Sequence, residues 1–182
     1  EDDHEMVLSE IALSDLTVSR KIYVDPTESY LRYMEVLANE TAADITVDVY
    51  IRGNLGSDES NDLCDYTSSG DDTPDSTDQW AVNHQDSSDP VVGFIFPGAE
   101  FTKSGDNLYF TWNEVTVPAG SEVNIIHWAM QDSSGTAADM AADLSASVAS
   151  TGAPIDPSWY GGLSTDDVLN NITPLAGNTV IG

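Results

Sequence analysis

Residues 44–58 read DITVDVYIRGNLGSD, and Ile45, Val47, Val49 and Ile51 alternate strictly with Thr46, Asp48, Tyr50 and Arg52. A period of two in β-branched residues marks a strand with one face in a core and the other in water. The strand runs into Gly53, Asn54, Gly56, Ser57 and Asp58, and a long acidic stretch with few apolar residues follows. Whether that acidic outflow is a site or a solvated surface is the central question of the sequence. The strand itself is expected to be a central support, with Tyr30–Ala38 as its hairpin partner.

Similar segments recur along the chain. Leu16, Val18, Ile22 and Val24 alternate through LTVSRKIYV, interrupted on the same side only by Arg20, and Asp25-Pro26 closes the run. Tyr30–Ala38 is apolar at nearly every position, and its aromatic content favours a strand over a helix from Ser29. Leu63–Ser68 and the residues around Trp80 and Val82 read as short strands. VVGFIF at 91–96, bounded by Pro90 and Pro97, has the pattern of a strand buried on both faces. Residues 98–106 read as a loop, and Leu108–Val117 and Val123–Met130 as the last strands. About eight strands at short spacing, with Gly/Pro/Asp turns, predict an antiparallel β-sandwich, jelly-roll-like or immunoglobulin-like. The period then changes. Thr136 and Asp139 form a capping-box pattern, and Met140, Leu144 and Val148 fall at i, i+4 and i+8, which predicts one Ala-rich helix near the C-terminus. A short helix capped by Ser164 or Thr165 is expected further on.

The expected organisation is an acidic leader at 1–15 holding an extra segment, Met6–Leu13, which is either an isolated strand or a turn of helix. A sandwich domain at 16–172 and an apolar tail at 173–182 follow.

With 32 acidic residues against 5 basic ones, a net charge of −27, the chain cannot neutralise phosphates, so nucleic acid and anionic membrane surfaces are excluded as partners. No apolar run is long enough to span a bilayer as a helix, so membrane insertion is not expected. Abundant Asp, Ser, Thr and Gly with almost no Lys point to an extracellular or cell-surface location, reached with a signal peptide removed. Asn39-Glu-Thr41 and Asn171-Ile-Thr173 are candidate N-glycosylation acceptors. Cys64 is the one cysteine, which rules out an internal disulfide and reads as a small buried hydrophobe.

Several ordered stretches, Leu31–Thr41, Ile45–Asp58, Thr67–Asp71, Val115–Gln131 and the Gly162-Leu163-Ser164 motif, together resemble a β-rich module of large secreted prokaryotic surface proteins. The likeness spans roughly Leu16 to Ile172. It implies an extracellular β-rich domain and carries no catalytic residue onto this chain.

The residues offer little to an enzyme. His4, His84 and His127 are scattered, and no nucleophile elbow, zinc-protease or phosphate-loop pattern occurs. His127, beside Trp128 in mid-strand, reads as a satisfied, half-buried histidine. No catalytic residue and no organic cofactor are expected. For Ca²⁺ the densest candidates are Asp58, Asp62, Asp71, Asp72, Asp75 and Asp78, with Asp86 and Asp89 next, although none follows EF-hand spacing and a merely solvated rim fits as well. Trp80, Trp112, Trp128 and Trp159 could stack on sugars, but aromatics at strand spacing are more often core.

The reading that absorbs most of this is a non-enzymatic extracellular structural protein, a subunit of a filament, tube or surface layer that polymerises with itself by strand addition through its ends. Met6, Val7, Leu8, Ile11 and Leu13, with Val180 and Ile181, are the candidate assembly residues. The alternative is a Ca²⁺-dependent adhesion module that binds polysaccharide or a cell surface.

Overall fold

The computed structural model describes residues 4–55, 63–84, 90–148 and 157–171. Within them ten strands form two antiparallel sheets of unequal width, a β-sandwich. The wide sheet has seven strands. In spatial order they are β1 (Glu5–Leu13), β2 (Leu16–Val24), β3 (Tyr30–Ala38), β10 (Glu122–Asp132), β7 (Val91–Ile95), β6 (Trp80–His84) and β5 (Leu63–Thr67). The narrow sheet has three: β4 (Ile45–Asn54), β9 (Asn107–Val117) and β8 (Glu100–Ser104).

The alternation of each strand sets what lies between the layers. Leu108, Phe110 and Trp112 of β9 point inward, after which Asn113 and Glu114 are both exposed and the parity shifts to Val115 and Val117. That shift is a bulge: Val47 pairs with Val115 but Val49 with Trp112, and Glu114 takes φ 54°, with its amide donating to Asp48 Oδ1 at 2.9 Å. Phe96, Phe101 and Phe110 meet at centroid distances of 4.9–5.1 Å and centre the core between the sheets. The indole Nε1–H of Trp112 donates to Pro97 O at 2.9 Å, so its one polar atom is satisfied in the core.

The outer face of the wide sheet carries a third layer. Helix α1 (Ala137–Ser147) opens on a capping box, with Thr136 and Asp139 each satisfying the other's amide. It buries Met140 and Leu144 against β5, β6 and β7. Gly93 of β7 permits this approach, because a Cβ there would stand 2.8 Å from Met140 Sδ and 2.9 Å from Met130 Cγ. A 3-10 turn (Pro157–Tyr160) and helix α2 (Thr165–Leu169) cover the rest, α2 with its own Ser164–Asp167 box. Trp159 stacks on Tyr30 at 4.9 Å, and Lys21 Nζ meets Asp167 Oδ1 at 2.7 Å. The buried Arg32 guanidinium lies over the Tyr23 ring, donates to the Gly161 carbonyl and pairs with Glu5 at 3.2 Å. These contacts hold the third layer to the sheet.

Four expectations change. β4 is not the hairpin partner of β3; it lies in the other layer and pairs with β9, while β3 pairs with β2 and β10. Nor is β4 central, since it is an edge strand with Tyr50 70% exposed. The segment 98–106, expected to be a loop, contains β8, whose Glu100–Ser104 pairs along β9. The strands number ten among the described residues, against about eight expected. Met6–Leu13 is a strand, joined to β2 by a two-residue turn in which Ser14 and Asp15 take φ 50° and 64°. That is the primed hairpin geometry, which matches the twist of the flanking strands.

Candidate functional site

At its β1 end the wide sheet runs on past the narrow one. β4 ends the upper layer while β2 and β1 continue the lower, leaving an open mouth of about 490 Å³ between them. Leu37, Leu16 and Val18 line its floor, Leu8, Ile11 and Leu13 its β1 side, and Val47, Val49 and Ile51 the β4 side. A β-bulge between Leu8 and Ile11 keeps Leu8, Ile11 and Leu13 on one face despite their uneven spacing.

Two polar side chains that line this mouth, Arg20 and Glu35, form a trio with His127. Glu35 on β3 lies between Arg20 on β2, whose Nε donates to Oε1 at 2.7 Å, and His127 on β10, whose Nε2 is 3.1 Å from the same oxygen. Tyr33 stacks on His127 at 5.0 Å, and Arg20 lies over the Tyr33 ring. Burial works to raise the Glu35 carboxyl, but hydrogen bonds from His127 and Arg20 outweigh it and hold Glu35 below the ordinary glutamate range. Burial pushes His127 down against the opposing pull of Glu35, so the ring is neutral at pH 7 and donates its Nε2–H. The pair is thus an ionised carboxylate beside a neutral imidazole, both inside the sandwich. The trio closes a polar gap in an apolar layer. Arg20 was visible in the sequence as the one break in the β2 alternation; Glu35 was hidden inside an apolar run.

The candidate cation ligands build turns. Asp78, fully buried between β5 and β6, accepts from the Ser69 and Asp75 amides and from Ser68 Oγ. Asp71 accepts from the Thr73 amide at 3.0 Å and Thr67 Oγ1 at 3.0 Å, and the first of these most lowers its pKa. Asp75 accepts from the hydroxyl and amide of Thr77, both at 2.7 Å, and is lowered by them. Asp72 accepts from the Thr73 hydroxyl at 3.2 Å. Side-chain oxygens spent on nearby amides in this way are the ordinary chemistry of Asx turns. Among the described residues no three His, Cys, Asp or Glu come together as a metal would require. Asp58, Asp62, Asp86 and Asp89 lie outside the described residues.

Of the assembly residues, Met6, Val7, Leu8, Ile11 and Leu13 are 42–58% exposed on β1, while Val180 and Ile181 lie outside the described residues. Asn39, a candidate glycan acceptor, is buried in the folded chain. It is 2% exposed, and its Nδ2 donates to Ala43 O at 2.8 Å and Val117 O at 2.9 Å, so the folded chain has no room there for a sugar. Its Thr41, the other half of the sequon pattern, returns its amide and hydroxyl to Asn39 Oδ1. The triplet is a turn device tying the β3–β4 crossover to β9. Asn171 is half-buried and bridges β10 at Asn124 through its backbone. Trp80, Trp112 and Trp128 are core residues, which leaves no four-indole platform.

No family model matches the sequence, and no curated protein does. Among solved structures, similarity extends to one titled "Putative kojibiose phosphorylase from human microbiome", at 8% identity and TM-score 0.46 over 75% of this chain and 20% of that one. It also extends to a "putative aldose 1-epimerase from Klebsiella pneumoniae", at 10% identity and TM-score 0.46 over 78% of this chain and 53% of that one. The chain thus spans about a fifth and about half of these two proteins, and neither activity is carried over. No helix among the described residues is long and apolar enough to cross a membrane.

Proposed function

We propose that this chain is a non-enzymatic structural subunit of an extracellular filament, tube or surface layer, and that it joins its own copies by strand addition at β1. The observation that supports this reading is the state of β1 itself. It pairs with β2 along one edge, has no strand on its other edge among the described residues, and exposes five large apolar side chains while burying none of them. An exposed, apolar, open edge strand is what natural monomers avoid with charges, prolines or covering loops. β1 carries only two glutamates, Glu5 at its start and Glu10. Main-chain hydrogen bonds along such an edge supply affinity, and alternating side chains supply register.

The tight Ser14–Asp15 turn and the pairing with β2 on both sides of the bulge favour addition at the open edge over release of β1 into a neighbour. Repeated head-to-tail, an edge contact gives an open fibre; shared about a two-fold, it closes as a dimer, which then serves as the building block and polymerises through a further contact. Electron microscopy of the purified chain, with and without residues 1–13, tests the reading. Ordered assemblies that disappear on the deletion are expected. Assemblies indifferent to the deletion would remove β1 from the account, and a chain that stays monomeric at every concentration would overturn the reading.

A further inference from the structure

The mouth at the β1 end is a step between two layers. Below, β2 and β1 overhang with an apolar inner face; above, β4 ends the narrow sheet on an edge that pairs with no strand among the described residues. Chain directions at the step are fixed by the pairings. β1 and β3 both run antiparallel to β2 and so run the same way. β3 ends at Ala38 and β4 starts at Ile45, and the Asn39 side chain binds Val117 O, opposite the start of β4, so the chain crosses between layers at one end of the sandwich and reverses. β1 therefore runs opposite to β4.

The geometry points to a second copy of this chain as what fills the step, turned over about a two-fold axis that lies between the layers and runs along the strands. The claim rests on the self-association proposed above and specifies its first contact. Turning the molecule over exchanges upper and lower layers. The overhang of each copy then occupies the level at which the other's narrow sheet stops. β1 of one copy adds antiparallel to the β4 edge of the other, and the reciprocal pairing forms on the opposite layer. Leu8, Ile11, Leu13 and Val18 of the two copies meet face to face, which is the self-complementarity an isologous interface requires.

Charge and size both fit. A chain of net charge −27 can meet itself only where its own acids are few or neutralised. The ionised side chains lining the mouth are Arg20 and Glu35, which neutralise each other, and Asp48, which is bound to the Glu114 amide of its own sheet. The overhang is two strands wide and nine residues long, about 10 Å by 30 Å. Each partner contributes one such face, about 300 Å², and two strand edges, a footprint towards the small end of specific interfaces that suits a dimer dissociating on dilution.

The test is the mass of the full chain by light scattering over a concentration series at physiological salt. A species of twice 19.5 kDa that dissociates on dilution is expected. Two substitutions attack the contact by different means. Ile11→Lys places a charge on the apolar face. Ala12→Pro removes an outward amide, because Leu13 and Leu16 flank the two-residue turn as a hydrogen-bonded pair and Ala12 thus points its N–H to the open edge. Each should weaken the dimer by roughly tenfold or more, with circular dichroism unchanged since both residues are exposed. A dimer indifferent to both substitutions overturns the arrangement. Larger assemblies that survive Ala12→Pro overturn the two-fold while leaving self-assembly standing, and a monomer throughout overturns both.

Discussion

His127 and Glu35 give the interior a pH response that can be read at single residues. A free histidine titrates near 6.5, and burial holds His127 lower. Below about pH 6.5 the unfolded chain therefore takes up a proton that the folded chain refuses, and stability falls as pH drops towards the folded value. Glu35, also depressed, contributes stability that is lost only further down, below the 4.5 of an ordinary glutamate. Gln at position 127 retains an amide donor for Glu35 but cannot titrate. In high salt, which screens the surface carboxylates, urea melts of His127→Gln should lose the slope that the native chain shows between about pH 6.5 and 5. Equal slopes in the two proteins would mean that His127 is not buried neutral. Neither partner of this pair could have been assigned from the sequence, because they lie 92 positions apart and meet only once β3 and β10 are neighbours.

At the scale of elements, alternation reports which face of a strand is buried but not which strand lies beside it. β2 was legible within a residue or so of its ends for that reason, and β3 and β9 from their apolar and aromatic content between turn-rich flanks. The partner of β4 was not, since its apolar face packs equally well in either layer. β8 was missed because Phe101 is its one large apolar residue, and its existence depends on pairing with β9. α1 was legible from both its cap and its spacing. How closely it lies on the sheet depends on Gly93, and this yields a graded expectation. Ala at 93 asks two flexible methionines to shift and should cost about 1 kcal/mol or less, whereas Val adds bulk that cannot clear both and should cost about 3 kcal/mol. Denaturant melts giving equal costs for Gly93→Ala and Gly93→Val would show that the helix is not held at this distance.

For the whole molecule, −27 charges on a 19.5 kDa body make cations part of any assembly. Raising NaCl from about 0.01 to 1 M shortens the screening length from about 30 to 3 Å. Melting temperature and self-association should both rise with it. Because Asp71, Asp75 and Asp78 spend oxygens on their own turns, Na⁺ and Ca²⁺ at matched ionic strength should act alike. An excess with Ca²⁺ that a chelator abolishes would assign coordination to the acidic loops and favour the adhesion reading. The acidic composition was plain in the sequence; its division between turn-building and free carboxylates was not, because hydroxyl and amide partners are chosen only as the loop closes.

Cys64 has a practical consequence. Burial raises its thiol to about 12, and its sulfur lies 3.7 and 3.8 Å from the Tyr66 and Val82 carbonyls. A thiol that does not ionise in neutral buffer is silent to maleimides and to oxidation. Any cysteine introduced on β1 or β4 is then the sole reactive handle on the folded chain, so spin or fluorophore pairs can report distances between copies without first stripping the native residue.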